Sequence, residues 1–307
     1  MKNHISQKKL HDNLFVVSFL IYPILLFAVF YVYVNFNSIM LAFKEYDFKG
    51  NYEWVAFQNF ELFIQNISGG SDYWATGLKN SFRMYFISLV ICLPLYVLFS
   101  YILFKKCFLH KQLRAISMIP QIISGFIMCL VFKKFVEGAL PDIALKIFGK
   151  EGMPNLLTAP DYAFGTSLFY QIWISFATNL IVYPNAMTEI DDGILEAGRI
   201  DGVGNIFQEL WYLILPLIFP TISTFLITGI AGLFTNAGSL TTFYMYMAPP
   251  SSVNIGYLYW RDVANSTSYA GYPMLAAGGL LMTCFVAPIT MLVRWLLEKF
   301  GPSTGGY

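Results

Sequence analysis

Six carboxylates and one cation share a short stretch of the chain, Thr188 to Pro216: Glu189, Asp191, Asp192, Glu196, Asp201 and Glu209 against Arg199. With no histidine or cysteine among them, they suit recognition of a basic partner surface, where charge-assisted hydrogen bonds are strong. Ile194, Leu195, Ala197 and Ile200 fit one apolar face of a short helix. Asp201–Gly202 should end it, because glycine supports the left-handed conformation common after a helix C-terminus. Ile206, Phe207, Leu210 and Trp211 give a second apolar stripe that leads into Leu215–Pro216. The expected structure is a helix, a tight glycine turn and a second helix, lying against the inner face of a membrane. Ala197 and Gly198 permit close approach, and Glu196 offers a carboxylate to a partner arginine. Periodicity leaves two readings open: a solvated hairpin joining two spans, or a knob that enters a partner's groove and transmits its motion.

Other chemistry is missing. No GxxxxGK[ST] phosphate loop occurs, so the chain is not expected to bind ATP itself. No HExxH or GxSxG is found, and Asp201–Gly202–Val203–Gly204 lacks the alternating oxygen ligands of a calcium loop. Cys92, Cys107, Cys129 and Cys284 lie far apart and read as small apolar residues rather than as a disulfide or zinc framework.

The elements that hold the acidic stretch are apolar. The chain is 57% hydrophobic and 12% charged, against roughly 25% charge in a soluble protein, and its mean hydropathy is +0.58. The net charge of +1 gives no sign of nucleic acid. A membrane helix needs about 20 apolar residues, and six runs qualify: Leu14–Phe36, Met84–Phe104, Ala115–Phe132, Tyr162–Met187, Leu213–Phe234 and Met274–Val293. The expected fold is therefore an all-α polytopic membrane protein with six transmembrane helices. The loop Lys105–Arg114, the densest basic cluster, places both termini in the cytoplasm by the positive-inside rule. Residues 1–13 and 298–307 are then cytoplasmic ends, 14–297 the membrane domain and 188–213 its acidic loop. No charged residue or histidine falls between Met84 and Phe104, between Tyr162 and Thr188, or between Leu210 and Trp260. Ion-driven carriers generally need such groups inside the bilayer, so energy is expected to arrive through a partner; an ion-coupled secondary carrier is the weaker alternative.

Glu196-Ala-Gly-Arg-Ile-Asp-Gly-Val203, followed by Ile214-Leu-Pro-Leu-Ile-Phe-Pro220, resembles the EAA loop of binding-protein-dependent ABC importer permeases. Glu196, Ala197 and Gly202 match the family positions. Gly198 stands where the second alanine usually is, which is expected to loosen the first helix without removing the docking surface. The Leu215–Pro216 pair comes one residue late, and Leu213 replaces the isoleucine before it. Ser38-Ile-Met-Leu-Ala-Phe43, Phe57-Gln-Asn-Phe60, Asn80–Ser81, Ile172-Trp-Ile174 and Tyr269-Ala-Gly-Tyr272 are similar to elements of the carbohydrate (maltose and glycerol-phosphate) permeases, nearest to the maltose "F" type.

The resemblance implies a type I ABC importer permease fold with a cytoplasmic coupling-helix hairpin in a bacterial cell membrane. It also implies a second homologous permease, an ABC ATPase dimer that carries the ATP and magnesium, and an extracellular solute-binding protein. Glu196, Ala197, Gly198, Asp201 and Gly202 would dock the ATPase. Gln171, Ser175 and Thr178 would form a sugar-contacting face, and Phe234-Thr-Asn236-Ala-Gly-Ser239 resembles a second sugar-contacting element, so that Phe234, Asn236 and Ser239 complete the candidate path. Ordinary helix packing by Ser, Thr and Asn is the competing reading of each. A permease for peptides or amino acids would share the docking loop. The tyrosines and Trp260 between Thr242 and Pro273 are read as an interfacial aromatic belt.

Overall fold

A computed structural model describes residues 16–47, 51–70, 72–149, 152–265 and 271–302. The expected cytoplasmic segment 1–13, the start of the first span at Leu14 and the tail beyond 302 lie outside them, as does Tyr269. The described chain is mostly helical and divides into two units. One comprises the residues up to Gln65 with Ser266–Leu281, the other Asn66–Asn265 with Met282 onward.

The first unit begins with helix α1 (Val16–Leu41). It is uncharged, and its side chains from residue 16 to 39 are exposed, as suits a helix whose solvent is hydrocarbon. After it, strands β1 (Lys44–Tyr46) and β2 (Tyr52–Trp54) form an antiparallel ribbon pairing Lys44 with Trp54 and Tyr46 with Tyr52. This small ribbon adds a little strand to a fold that is otherwise helical, as expected. Each strand is three residues long, too short to show alternation, and a cross-strand aromatic pair, Tyr46 and Tyr52 at 5.3 Å, supports it. Helix α2 (Gln58–Gln65) follows. Buried Asn59 on α2 donates through Nδ2 to the carbonyls of Ala42 (3.0 Å) and Lys44 (2.8 Å), while Phe43 stacks on Trp54 at 5.5 Å. The Ser38–Phe43 and Phe57–Phe60 elements thus meet in one structural knot.

The second unit holds α3 (Tyr73–Phe104), α4 (His110–Ile122), α5 (Gly125–Ile147), α6 (Pro160–Thr188), α7 (Asp192–Ile200), α8 (Ile206–Ala231), α9 (Leu240–Tyr244) and α10 (Ile255–Asn265). Helix α11 (Tyr272–Phe300) contributes its residues from Met282. One core joins α3, α6, α7 and α8 through Cys92, Tyr96, Tyr183, Met187, Leu195, Ile214 and Ile218; another packs Phe132 of α5 with Leu157, Tyr170 and Phe243. Cys92 and Cys129 are buried as expected, whereas Cys284 is exposed.

Several span expectations change. The third run is not straight: α4 and α5 meet at 99°, with Ile123 and Ser124 extended between them. The β-branched pair Ile122–Ile123 followed by Gly125 is a poor helix interior. By length and apolarity α1, α3, α8 and α11 can each cross a bilayer, and the bent pair makes a fifth. Helix α6 has 29 residues but misses that apolarity, because Gln171, Ser175, Thr178 and Asn179 interrupt it. Helix α11 also continues past the expected end of its span, to Phe300.

Polar groups of α3 pin the segment that leads into α10. Asn80 donates to the carbonyls of Ser251 (2.8 Å) and Val253 (2.9 Å), and the Ile255 N–H donates to Ser81 Oγ at 3.1 Å. Removing the amide leaves two buried carbonyls unpaired, at about 2 kcal/mol. Asn80→Ala is therefore expected to lower the melting temperature of the purified protein in detergent; an unchanged value would contradict this role.

Candidate functional site

Helix α7 is delimited at both ends by its own side chains and turns. Asp191 caps the N-terminus, accepting the Gly193 N–H at 2.7 Å, so one of the orphan donors of the first turn is satisfied. At the other end Gly202 adopts φ +98°. Its N–H donates to Arg199 O (3.2 Å), and the Val203 N–H donates to Gly198 O (3.0 Å). These two bonds form a Schellman closure, which needs a left-handed residue where Gly202 stands. Asn205 then starts α8, with its side chain accepting from the Phe207 N–H at 3.4 Å.

The buried face of α7 differs from the expected one. Leu195 and Gly198 are buried and Ile194 half-buried, whereas Glu196, Ala197, Ile200, Asp201 and Gly202 are exposed. Ala197 and Ile200 thus lie outside the packed stripe because Gly198, with no side chain, takes the position closest to α8. A Cβ on Gly198 would come within 2.5 Å of Leu213 Cδ1. Gly198 therefore positions the helix and presents nothing outward. The helix runs without a break through Gly198. The two departures from the family pattern, Gly198 and Leu213, touch each other. A third is absorbed nearby: residues Glu209–Ile214 form wide π-helical turns, which accommodate an extra residue in a helix. The late Leu215–Pro216 pair follows directly.

The acidic count of the hairpin also falls. Asp191 is engaged as a cap, and Glu209 pairs with Lys105, just beyond the end of α3. Arg114 in α4 donates to Asn185 Oδ1 at 2.7 Å, in the last turn of α6. The basic loop Lys105–Arg114 and the acidic hairpin consequently share one end of the helices.

The candidate path residues separate into two kinds. Gln171, Ser175 and Thr178 are spaced along one side of α6. Thr178 Oγ1 is exposed and accepts from Gln121 Nε2 at 2.6 Å. Gln171 meets the loop after α8, since a Cβ on Gly238 would lie 3.1 Å from its Oε1. In that loop Asn236 is exposed, and its Oδ1 accepts the Gly238 N–H at 2.8 Å. Ser239 Oγ is buried without a partner among the described residues. Phe234, by contrast, is packed against Phe82 (5.7 Å) and Phe285 (6.3 Å) and serves as core.

Sequence reasoning missed Gln121, although an isolated amide in an apolar run was its visible signal. It also missed Gly256, where the backbone approaches Asn236 and Ala237. The aromatic-belt expectation fails for Tyr244 and Tyr257. Tyr244 Oη donates to Leu157 O at 2.7 Å. Buried Tyr257 accepts the Ala248 N–H at 3.1 Å, and burial raises its phenol above the ordinary range.

Comparison with known proteins identifies the family and the fold. The family described as binding-protein-dependent transport system inner membrane component matches residues 67–305. GanP, a galactooligosaccharides transport system permease protein of Bacillus subtilis, is 26% identical over 287 residues; the match covers 87% of this chain and 66% of GanP, slightly under two thirds of its length. MsmF, a multiple sugar-binding transport system permease protein of Streptococcus mutans, is 24% identical over 284 residues, covering 92% of this chain and 95% of MsmF. A crystal structure of a bacterial alginate ABC transporter, in complex with an alginate pentasaccharide-bound periplasmic protein, contains a chain of the same fold. Its TM-score is 0.79 at 18% identity, with 97% of this chain and 99% of that one covered. With its apolar spanning helices and a family match over most of its length, this chain is a multi-pass membrane protein of the binding-protein-dependent transport system inner membrane component family.

Proposed function

We propose that the chain is one of two permease subunits of an ATP-driven importer, passing a sugar or oligosaccharide delivered by an extracellular solute-binding protein. One observation carries this reading: the capped hairpin that turns Glu196, Ala197 and Asp201 outward while Leu195 and Gly198 lock it to the spans. In this reading an ATPase dimer, holding the ATP and magnesium, grips the exposed face and a homologous permease completes the path. Six spans are counted by adding α6, whose 29 residues reach about 44 Å without a charged group between Tyr162 and Thr188. The basic loop beside the hairpin supports a cytoplasmic location for that end and for both termini. The carbohydrate class is supported by the sugars named for GanP and MsmF, and by an uncharged amide and hydroxyl face, which suits sugar hydroxyls.

The test is uptake of radiolabelled sugars and oligosaccharides by the assembled importer. Gln171→Ala and Asn236→Ala are expected to raise KM or lower the maximal rate roughly tenfold, the loss of one good polar contact. Unchanged KM and rate in both variants would remove these residues from the path. Uptake of a peptide or amino acid in place of any sugar would replace the substrate class.

A further inference from the structure

We infer that the Lys105–Glu209 ion pair is the tie that carries displacement of the docking hairpin into α3, the helix that ends beside it. The inference rests on the importer reading above. Among the hairpin carboxylates, Glu189, Asp192, Glu196 and Asp201 are exposed, and Asp191 caps α7. Glu209 is turned inward, with its side chain 12% exposed, onto Lys105.

Both partners are held. Lys105 follows the last turn of α3, where a cation complements the helix dipole; its N–H donates to Tyr101 O at 2.9 Å. Its ammonium lies 5.5 Å from the Tyr101 ring and 5.7 Å from the Phe104 ring, within reach of cation–π attraction. Glu209 opens the π-helical turns that run to Ile214. Sharp kinks in helices occur at π-helical turns, so α8 by itself is a poor rod at its junction with the hairpin. The apolar contacts of Leu195 and Gly198 hold the hairpin against the spans but are non-directional. The ion pair is directional, and it bridges the first residue of the wide turns to a second spanning helix 104 positions away in the chain. Displacement of the hairpin then moves α3 together with α8, where an unbraced junction would bend.

The experiment uses the complete importer in proteoliposomes and compares ATP hydrolysis with and without the solute-loaded binding protein. Lys105→Met and Glu209→Gln are each expected to cut the stimulated-to-basal ratio roughly five- to tenfold, the scale of a typical inter-site coupling. The charge-reversed double variant Lys105→Glu/Glu209→Lys should recover at least half of the wild-type ratio. Single variants that keep the ratio overturn the inference, as does a reversed pair no better than either single variant. So does a fall confined to the amount of assembled complex, which marks a purely structural contact. The carbohydrate reading is judged separately, from wild-type sugar uptake. The ion pair is judged from the variant-to-wild-type change in ATPase stimulation, which does not depend on which solute is carried.

Discussion

Importers carrying Gly202→Pro are expected to lose binding-protein-stimulated ATP hydrolysis and transport while the chain still enters the membrane. At φ +98° the Gly202 backbone is far from the only φ that proline allows, about −65°. Proline also has no N–H, so the bond to Arg199 O is lost, and the Gly198 carbonyl loses the Val203 N–H that closes the same turn. A local cost of about 3 kcal/mol exceeds what a nine-residue helix held by Leu195 and Gly198 can absorb in place. The hairpin is then misdirected, but the spans are untouched, because their apolar runs lie outside it. Glu196→Lys separates geometry from recognition. Glu196 is exposed and outside the core, so the reversal should leave the melting temperature unchanged while reducing coupled hydrolysis by a comparable factor. Normal stimulation in both variants, measured on assembled complexes, would falsify the docking assignment.

The second large effect is expected at Gly256, where alanine should sharply reduce the yield of folded protein. A Cβ there would stand 2.6 Å from Asn236 C, 2.7 Å from Ala237 N and 2.8 Å from Asn236 O. All three are backbone atoms and cannot rotate away, and the same Asn236 carbonyl accepts from Asn254 Nδ2 at 3.2 Å. Overpacking of this kind costs about 3 kcal/mol. Gly198→Ala provides the contrast, for its close neighbour is the tip of the Leu213 side chain, which can turn aside at about 1 kcal/mol. Melting curves in detergent should therefore rank the wild type above Gly198→Ala and Gly198→Ala above Gly256→Ala. The reverse order of the two variants would show that the backbone approach is softer than the distances imply.

These two sites illustrate how legibility varied along the chain. The Gly202 turn was readable because it is local: Ile200, Asp201 and Gly202 are adjacent, and the preference for a left-handed conformation belongs to one residue. The same holds for α8 and α11, whose apolar runs are long enough to decide their state without reference to neighbours. Helix α6 forms where the uncharged run predicts a helix, although its amides and hydroxyls leave it less apolar than the helices long and apolar enough to span. The ribbon β1–β2 escaped notice because three residues per strand carry no periodic signal. The break at Ile123–Ser124 was hidden because the apolar run continues through it.

What the sequence determined by itself was the solvent of the chain, its long helices, the acidic hairpin with its glycine stop and, through the matching residues, the family. These properties follow from composition and from interactions between near neighbours. Tertiary packing settled which face of α7 is buried, that Gly198 abuts Leu213, that Glu209 pairs with Lys105, and that Gly256 must stay small beside Asn236. Each of those contacts joins residues distant along the chain or different helices, and its value depends on a separation of a few ångströms that no local pattern encodes. Helical periodicity offered α7 one apolar face; packing against α8 selected another, because the smallest side chain allows the closest approach.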